Sequence, residues 1–161
     1  MTDRLLGACE GLTAAEFAAP RVSFFPSLRA TLNHTLGVDS YYLNALEGTG
    51  GRPAVPDRWP DFAEPAALRA AQAASDARLT GFCDRLADED ADRTVVTDRG
   101  AQGLVPERLG AVLAHLFLHQ VHHRGQAHAM LAGTRVPPPQ LDEFFLDFDR
   151  HPSVAARGFA P

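Results

Sequence analysis

From Pro106 to Ala132 the chain carries one long helical pattern with Gly133 as its C′ residue, and this stretch limits the fold more than any other. Inside it lies the run Leu118-His119-Gln120-Val121-His122-His123-Arg124-Gly125-Gln126. Residues at i and i+4 share one face of a helix, so His119 and His123 can aim both imidazoles at a single ion. Neutral imidazole suits zinc, nickel, copper or iron. Three protein ligands with an open position mark a catalytic metal site, whereas a structural zinc site closes with four. Such sites are built from side chains on facing helices, so the rest of the chain has to supply a partner helix.

Several further segments qualify. Residues 2–10 read as a short helix stopped by Gly11, and Thr13-Ala14-Ala15-Glu16 has the spacing of a capping box that starts one turn before Pro20. A long helix is expected from Ser23 to Glu47, with Ser23 as N-cap and Pro26 in the first turn. Phe25, Leu28, Leu32, Leu36, Leu43 and Leu46 form its apolar side, and Gly48 ends it. Gly48, Gly50, Gly51, Pro53, Pro56 and Pro60 make residues 48–63 an irregular crossing, pinned by Trp59 and Phe62. Pro65 opens a third helix that reaches Leu86. Thr94-Val95-Val96-Thr97 and Leu104-Val105 flank Asp98-Arg99-Gly100 and read as a two-stranded ribbon or a loop. Pro137, Pro138 and Pro139 form a stiff connector to a short closing helix from Gln140 to Phe148. Long helices joined by one long crossover predict an all-α four-helix bundle with a short C-terminal helix, in one domain over residues 1–161.

Composition removes several functions. A net charge of -5 argues against nucleic acid as a main partner, because neutralising phosphates takes a clustered basic surface. No apolar run approaches the ~20 residues of a bilayer span, and no signal-peptide pattern opens the chain, so a cytoplasmic protein without membrane contact is expected. Cys9 and Cys83 do not make a disulfide framework, and both fall in helical segments where a thiol acts as a small buried hydrophobe.

Seven histidines compete as ligands. His115, His119 and His123 form a stripe whose outer members lie about 12 Å apart along the axis at 1.5 Å per residue, too far to share one ion. A third ligand must therefore come from elsewhere. His34 is the best candidate, since Ala30, Thr31, Val38 and Tyr41 at its neighbouring turns suggest an inward face. His122 also has a permitted spacing from His119 but points about 100° away from His123, so only one of these two can belong to the site. His115 reads as a pocket residue, and His128 and His151 as peripheral. A zinc protease needs His-Glu-x-x-His, and Gln120 stands where its general base would be, so that chemistry is not expected.

These pieces resemble the DinB family, also called the DinB/YfiT-like metalloenzymes. The resemblance rests on Leu32-Asn33-His34-Thr35-Leu36 followed by Asp39 and Tyr41, on His115 through Gln126, and on Pro138-Pro139-Gln140-Leu141-Asp142. It implies a four-helix bundle, commonly a homodimer, with a divalent metal held by His34, His119 and His123. In the family the second ligand often follows an Asn; here Leu118 stands there, and the first helix looks short. Similar proteins include enzymes of S-transfer with low-molecular-weight thiols such as bacillithiol, and thiol-dependent isomerases.

A small-molecule enzyme follows as the leading expectation: a metal-dependent S-transferase in which a zinc, nickel or iron ion holds a low-molecular-weight thiol as thiolate, the nucleophilic form. Arg29 and Arg124 are candidate contacts for carboxylates of that thiol. No catalytic side chain stands out. The competing readings are hydrolysis by metal-activated water, with Tyr41 or Tyr42 assisting, and a non-catalytic, stress-linked metal-binding module. Asp39 or Asp142 is a candidate partner for a ligating histidine or for Arg124, and Gly125 a position that lets helices approach.

Overall fold

A computed structural model of the chain describes residues 1–48 and 61–141. Its elements are α1 (Thr2–Cys9), α2 (Ala14–Ala18), α3 (Leu28–Leu46), α4 (Pro65–Cys83), the strands β1 (Thr94–Asp98) and β2 (Leu104–Arg108), and α5 (Leu109–Ala132). The protein is mostly helical, and the small ribbon is real: β1 and β2 pair antiparallel, Thr94 against Arg108 through Asp98 against Leu104. Gly100 and Gly103, at φ +62° and +76°, make the turn between the strands, a conformation glycine adopts without steric penalty. The closing helix expected at 140–148 and the anchoring role given to Trp59 fall outside the described residues, save Gln140 and Leu141, which are not helical.

Two helix starts differ from expectation, both at a proline. α3 begins at Leu28, and Ser27 rather than Ser23 is its N-cap, its hydroxyl accepting from the Ala30 N–H at 3.1 Å. Proline disfavours the helical region for the residue before it, so Pro26 keeps Phe25 out of the helix. α5 begins at Leu109, because Pro106 lies in β2 opposite Val96. A two-stranded ribbon consists only of edges, where a missing N–H is tolerated. The local signal at Thr13 is realised in full: its side chain accepts from the Glu16 N–H while the Glu16 carboxylate takes the Thr13 N–H. Replacing Ser27 by alanine is expected to lower stability by about 1 kcal/mol, as for other lost N-caps. Ser23→Ala should stay within ~0.5 kcal/mol. Urea denaturation distinguishes this start from one at Ser23.

The apolar residues form two clusters. In the first, Leu5, Leu6, Cys9, Phe17, Leu28, Leu32, Leu36 and Leu68 meet Ala127, Met130 and Leu131; in the second, Val38, Tyr42, Leu46 and Phe82 meet Val95, Leu109, Val112 and Leu116. The start of α3 and the start of α4 share the first cluster with the end of α5. α3 and α4 therefore run parallel and α5 runs against both, the arrangement that demands a long connection between α3 and α4. Where one cluster gives way to the other the helices carry polar side chains instead: Asn33, Thr35 and Asp39 on α3, Gln72 and Ser75 on α4, His123 on α5, all buried. Burying that many polar groups is unfavourable unless they find partners or a ligand.

Candidate metal centre

This polar waist contains the three histidines singled out above. His34 comes from the middle of α3, His119 and His123 from successive turns of α5. One ring nitrogen of each lies within 4.8 Å of the others. The ring centroids are 5.1 Å apart for His34 and His119, 4.9 Å for His34 and His123, and 4.4 Å for His119 and His123. The Nε2 atoms of His34 and His119 are 3.1 Å apart. Two nitrogens at that separation can both stand ~2.0–2.1 Å from one ion at an angle of roughly 100°, within the range of zinc–imidazole geometry. The donor set therefore fits a divalent ion. Among the described residues, no carboxylate or thiol joins the group.

Electrostatics suit the same role. Burial, reinforced by the neighbouring rings, pushes the His119 imidazolium down to about 4, and burial also lowers His34 and His123. The three rings are thus neutral at pH 7, the state a metal ligand requires. His123 is oriented as well: its Nδ1–H donates to Gln126 Oε1 at 2.8 Å, which leaves Nε2 for the site. The Gln126 amide then donates to His122 Nε2 at 3.0 Å. His122 is exposed, its ring nitrogen already used, whereas His123 is buried at 5% exposure. Burial thus separates the two histidines that spacing left open. His115 stacks edge-on against Tyr42 at 5.2 Å and lies outside the trio, one turn from His119.

Other expected participants are placed elsewhere. Arg29 grips Asp61 with two bonds, at 2.8 and 2.7 Å. Arg124 is half-buried, next to His123 in sequence. Tyr41 donates its hydroxyl to the Asp98 carbonyl, and the Tyr42 hydroxyl accepts from Arg99, so both serve the ribbon. Asp39 does not touch a histidine; it accepts from the side-chain amides of Gln72, at 2.7 Å, and of Gln120. A methyl group on the Cα of Gly125 would meet no atom of the described residues within 4 Å, so no described helix packs against it there. Leu118 points outward at 69% exposure and leaves the trio without a polar neighbour from that position. Burial raises the Cys9 thiol to about 12 and raises Cys83 too, which leaves neither as a ready thiolate.

Three further contributors are not evident from sequence. Phe25, freed from α3 by Pro26, stacks on His34 at 4.4 Å and reaches His123 at 5.6 Å, closing one side of the cluster. Asn33 takes the Phe62 N–H at 2.7 Å and donates back to the Phe62 carbonyl at 3.0 Å, tying that chain segment beside His34. Arg21 lines a groove of about 480 Å³ with Val22, Ser23, Gln126, Ala129, Met130 and Gly133, next to the amide that orients His123. Only the i+3 spacing of Gln126 from His123 offers a local signal for any of this.

Comparison with protein-family models matches residues 1–151 to the DinB family, and the chain belongs to that family. A search of curated proteins finds no match. No helix among the described residues is long and apolar enough to cross a membrane.

Proposed function

We propose that this DinB family member is a metal-dependent transferase that uses a low-molecular-weight thiol, its metal held by His34, His119 and His123 in a four-helix bundle of α1, α3, α4 and α5. The observation that carries the reading is the convergence of three neutral imidazoles, joined by no carboxylate or thiol among the described residues. His34, His119 and His123 would hold the divalent ion, and the ion would supply the acidity that keeps a thiol in its nucleophilic thiolate form.

The protein's own residues do the rest. Gln126 fixes the His123 tautomer, and Phe25 covers the His34 and His123 rings, keeping water from that side. The groove at Arg21 offers an apolar wall and a guanidinium beside the cluster, room for a small organic substrate. Arg124 adds a second cation one residue from a ligand. Arg29 could take a substrate carboxylate only in exchange for Asp61. In the transfer, sulfur forms a bond to an electrophilic carbon, the leaving group departs with the bonding pair, and the thiol proton goes to solvent. Among the described residues no carboxylate joins the histidine group, and Asp39 is buried and held by two amides; this favours transfer over hydrolysis, where a general base would be sought next to the ion.

The test is a conjugation assay with zinc- or nickel-loaded protein, a panel of cellular thiols and an activated aryl halide. Product formation above the spontaneous rate, abolished by His119→Ala, is expected. Rates equal to the uncatalysed reaction with every thiol would leave metal binding standing and remove the transferase.

A further inference from the structure

Asp39 is 2% exposed, and so is Gln72, which meets it from α4. Asp39 Oδ2 receives two amide N–H groups, from Gln72 at 2.7 Å and from Gln120 of α5. One carboxyl therefore ties three helices together, and it does so next to the metal centre: Gln120 adjoins His119, and Asp39 follows His34 by little more than one turn. Two buried atoms of this group have no hydrogen-bond partner, Asp39 Oδ1 and Gln120 Oε1. Both are acceptors, and they belong to the same carboxyl and the same amide already joined through Oδ2 and Nε2. A buried acceptor left without a partner is unfavourable. A single proton on Oδ1 satisfies both atoms at once, because a carboxylic acid and a primary amide close a ring of two hydrogen bonds.

We infer that Asp39 is a positioning residue for the three-histidine site, working as a neutral acid that pairs with the Gln120 amide and fixes the His119 turn of α5 against α3. It rests on the reading of the trio as a metal site. The chemistry around the carboxyl supports it. Burial outweighs the two amide donors and moves the Asp39 carboxyl up to about 6, and Asp76 of α4, which shares the Gln72 amide at 2.8 Å, pushes in the same direction. The titratable group next to Gln120 on α5 is His119, neutral at pH 7. Among the described residues, no cation acts on Asp39 to favour its charged form.

The neutral-acid role makes an unusual demand on substitution. Asparagine reproduces the protonated acid: its amide N–H donates to Gln120 Oε1 while its carbonyl accepts from Gln120 and Gln72. Leucine fills the space and pairs with neither. Zinc affinity, measured at pH 5, where Asp39 is protonated and His119 is still neutral, by competition with a chromophoric chelator, is therefore expected to stay within about threefold of wild type in Asp39→Asn. In Asp39→Leu it should fall by ~10–100-fold, the range for residues that orient a metal ligand. Gln120→Met attacks the same pair from the α5 side and should act in the same direction, which covers the case in which Asp39→Leu does not fold. The visible absorption of the cobalt-loaded protein reports ligand geometry directly; it should be unchanged in Asp39→Asn and altered in the other two.

Infrared difference spectra across pH 4–8 complete the test: a protonated-carboxyl band present in wild type should vanish in Asp39→Asn. If Asp39→Asn loses as much affinity as Asp39→Leu, the charge is needed and the neutral acid is wrong. If Asp39→Leu and Gln120→Met keep wild-type affinity and cobalt spectrum, Asp39 positions nothing. If the wild-type protein itself holds no metal, the proposed function fails, while the infrared band still decides whether the acid–amide pair exists.

Discussion

Wild-type protein is expected to carry about one zinc or nickel ion per chain, and His34→Ala, His119→Ala and His123→Ala should each abolish it. The loss should exceed the 10–100-fold typical of substitutions that only support a ligand, because each removes one of three bonds to the ion. His122→Ala and His115→Ala serve as matched controls. Both lie on the same helix as two ligands, yet His122 is exposed and spent on Gln126, and His115 packs on Tyr42. Both should retain the ion. Mass spectrometry of metal content on the six proteins reads this out directly. Retention of metal in His34→Ala would break the trio, since no other described residue brings a ligand atom to the α5 pair. Loss in His122→Ala would mean that the exposed ring turns inward when the ion binds.

The pattern of what could be read from sequence follows from range. The capping box at Thr13 and the His119–His123 pair depend on residues three and four apart, and both emerge in the structure as the spacing implies. The two misplaced helix starts share a cause. Proline is tolerated in the first turn of a helix, so Pro26 and Pro106 each resemble an opening residue; in one case it ends an irregular segment and in the other it sits in a strand. Displacing the start of α3 changes the site, because Phe25 moves from a helix face to a position over His34 and His123. The choice of His123 over His122 needs burial, which only tertiary packing supplies. Asp39 is legible as a residue near the site but its partners are not: Gln72 is 33 positions away and Gln120 81, and nothing local links them. Polar residues on three separate helices reveal themselves as one group only when the helices are brought to a common level.

That shared level has a consequence for acid stability, with two opposing parts. His119 has a folded-state pKa of about 4 against 6.5 in an unfolded chain. The unfolded state therefore binds more protons between those values, and stability without metal falls as the pH drops through that window. Asp39 is shifted the other way, from 3.8 to about 6. Its contribution is fully present below pH 3.8 and is lost as the pH rises through 6, where the folded protein must ionise a buried carboxyl. In wild type the two effects offset each other over the same range. Asp39→Asn removes one of them. At pH 7 the variant should be more stable than wild type by up to about 3 kcal/mol, from a shift near two units at 1.36 kcal/mol each. The advantage should shrink steadily on acidification and disappear near pH 4, leaving the variant with the steeper acid decline set by the buried histidines and by ion-paired carboxylates such as Glu16 and Glu107. Chelator-treated protein unfolded by urea at a series of pH values measures both curves. A variant less stable than wild type at pH 7 would show that the Gln72 and Gln120 amides hold a charged carboxylate more strongly than burial opposes it, and the neutral acid would have to be abandoned.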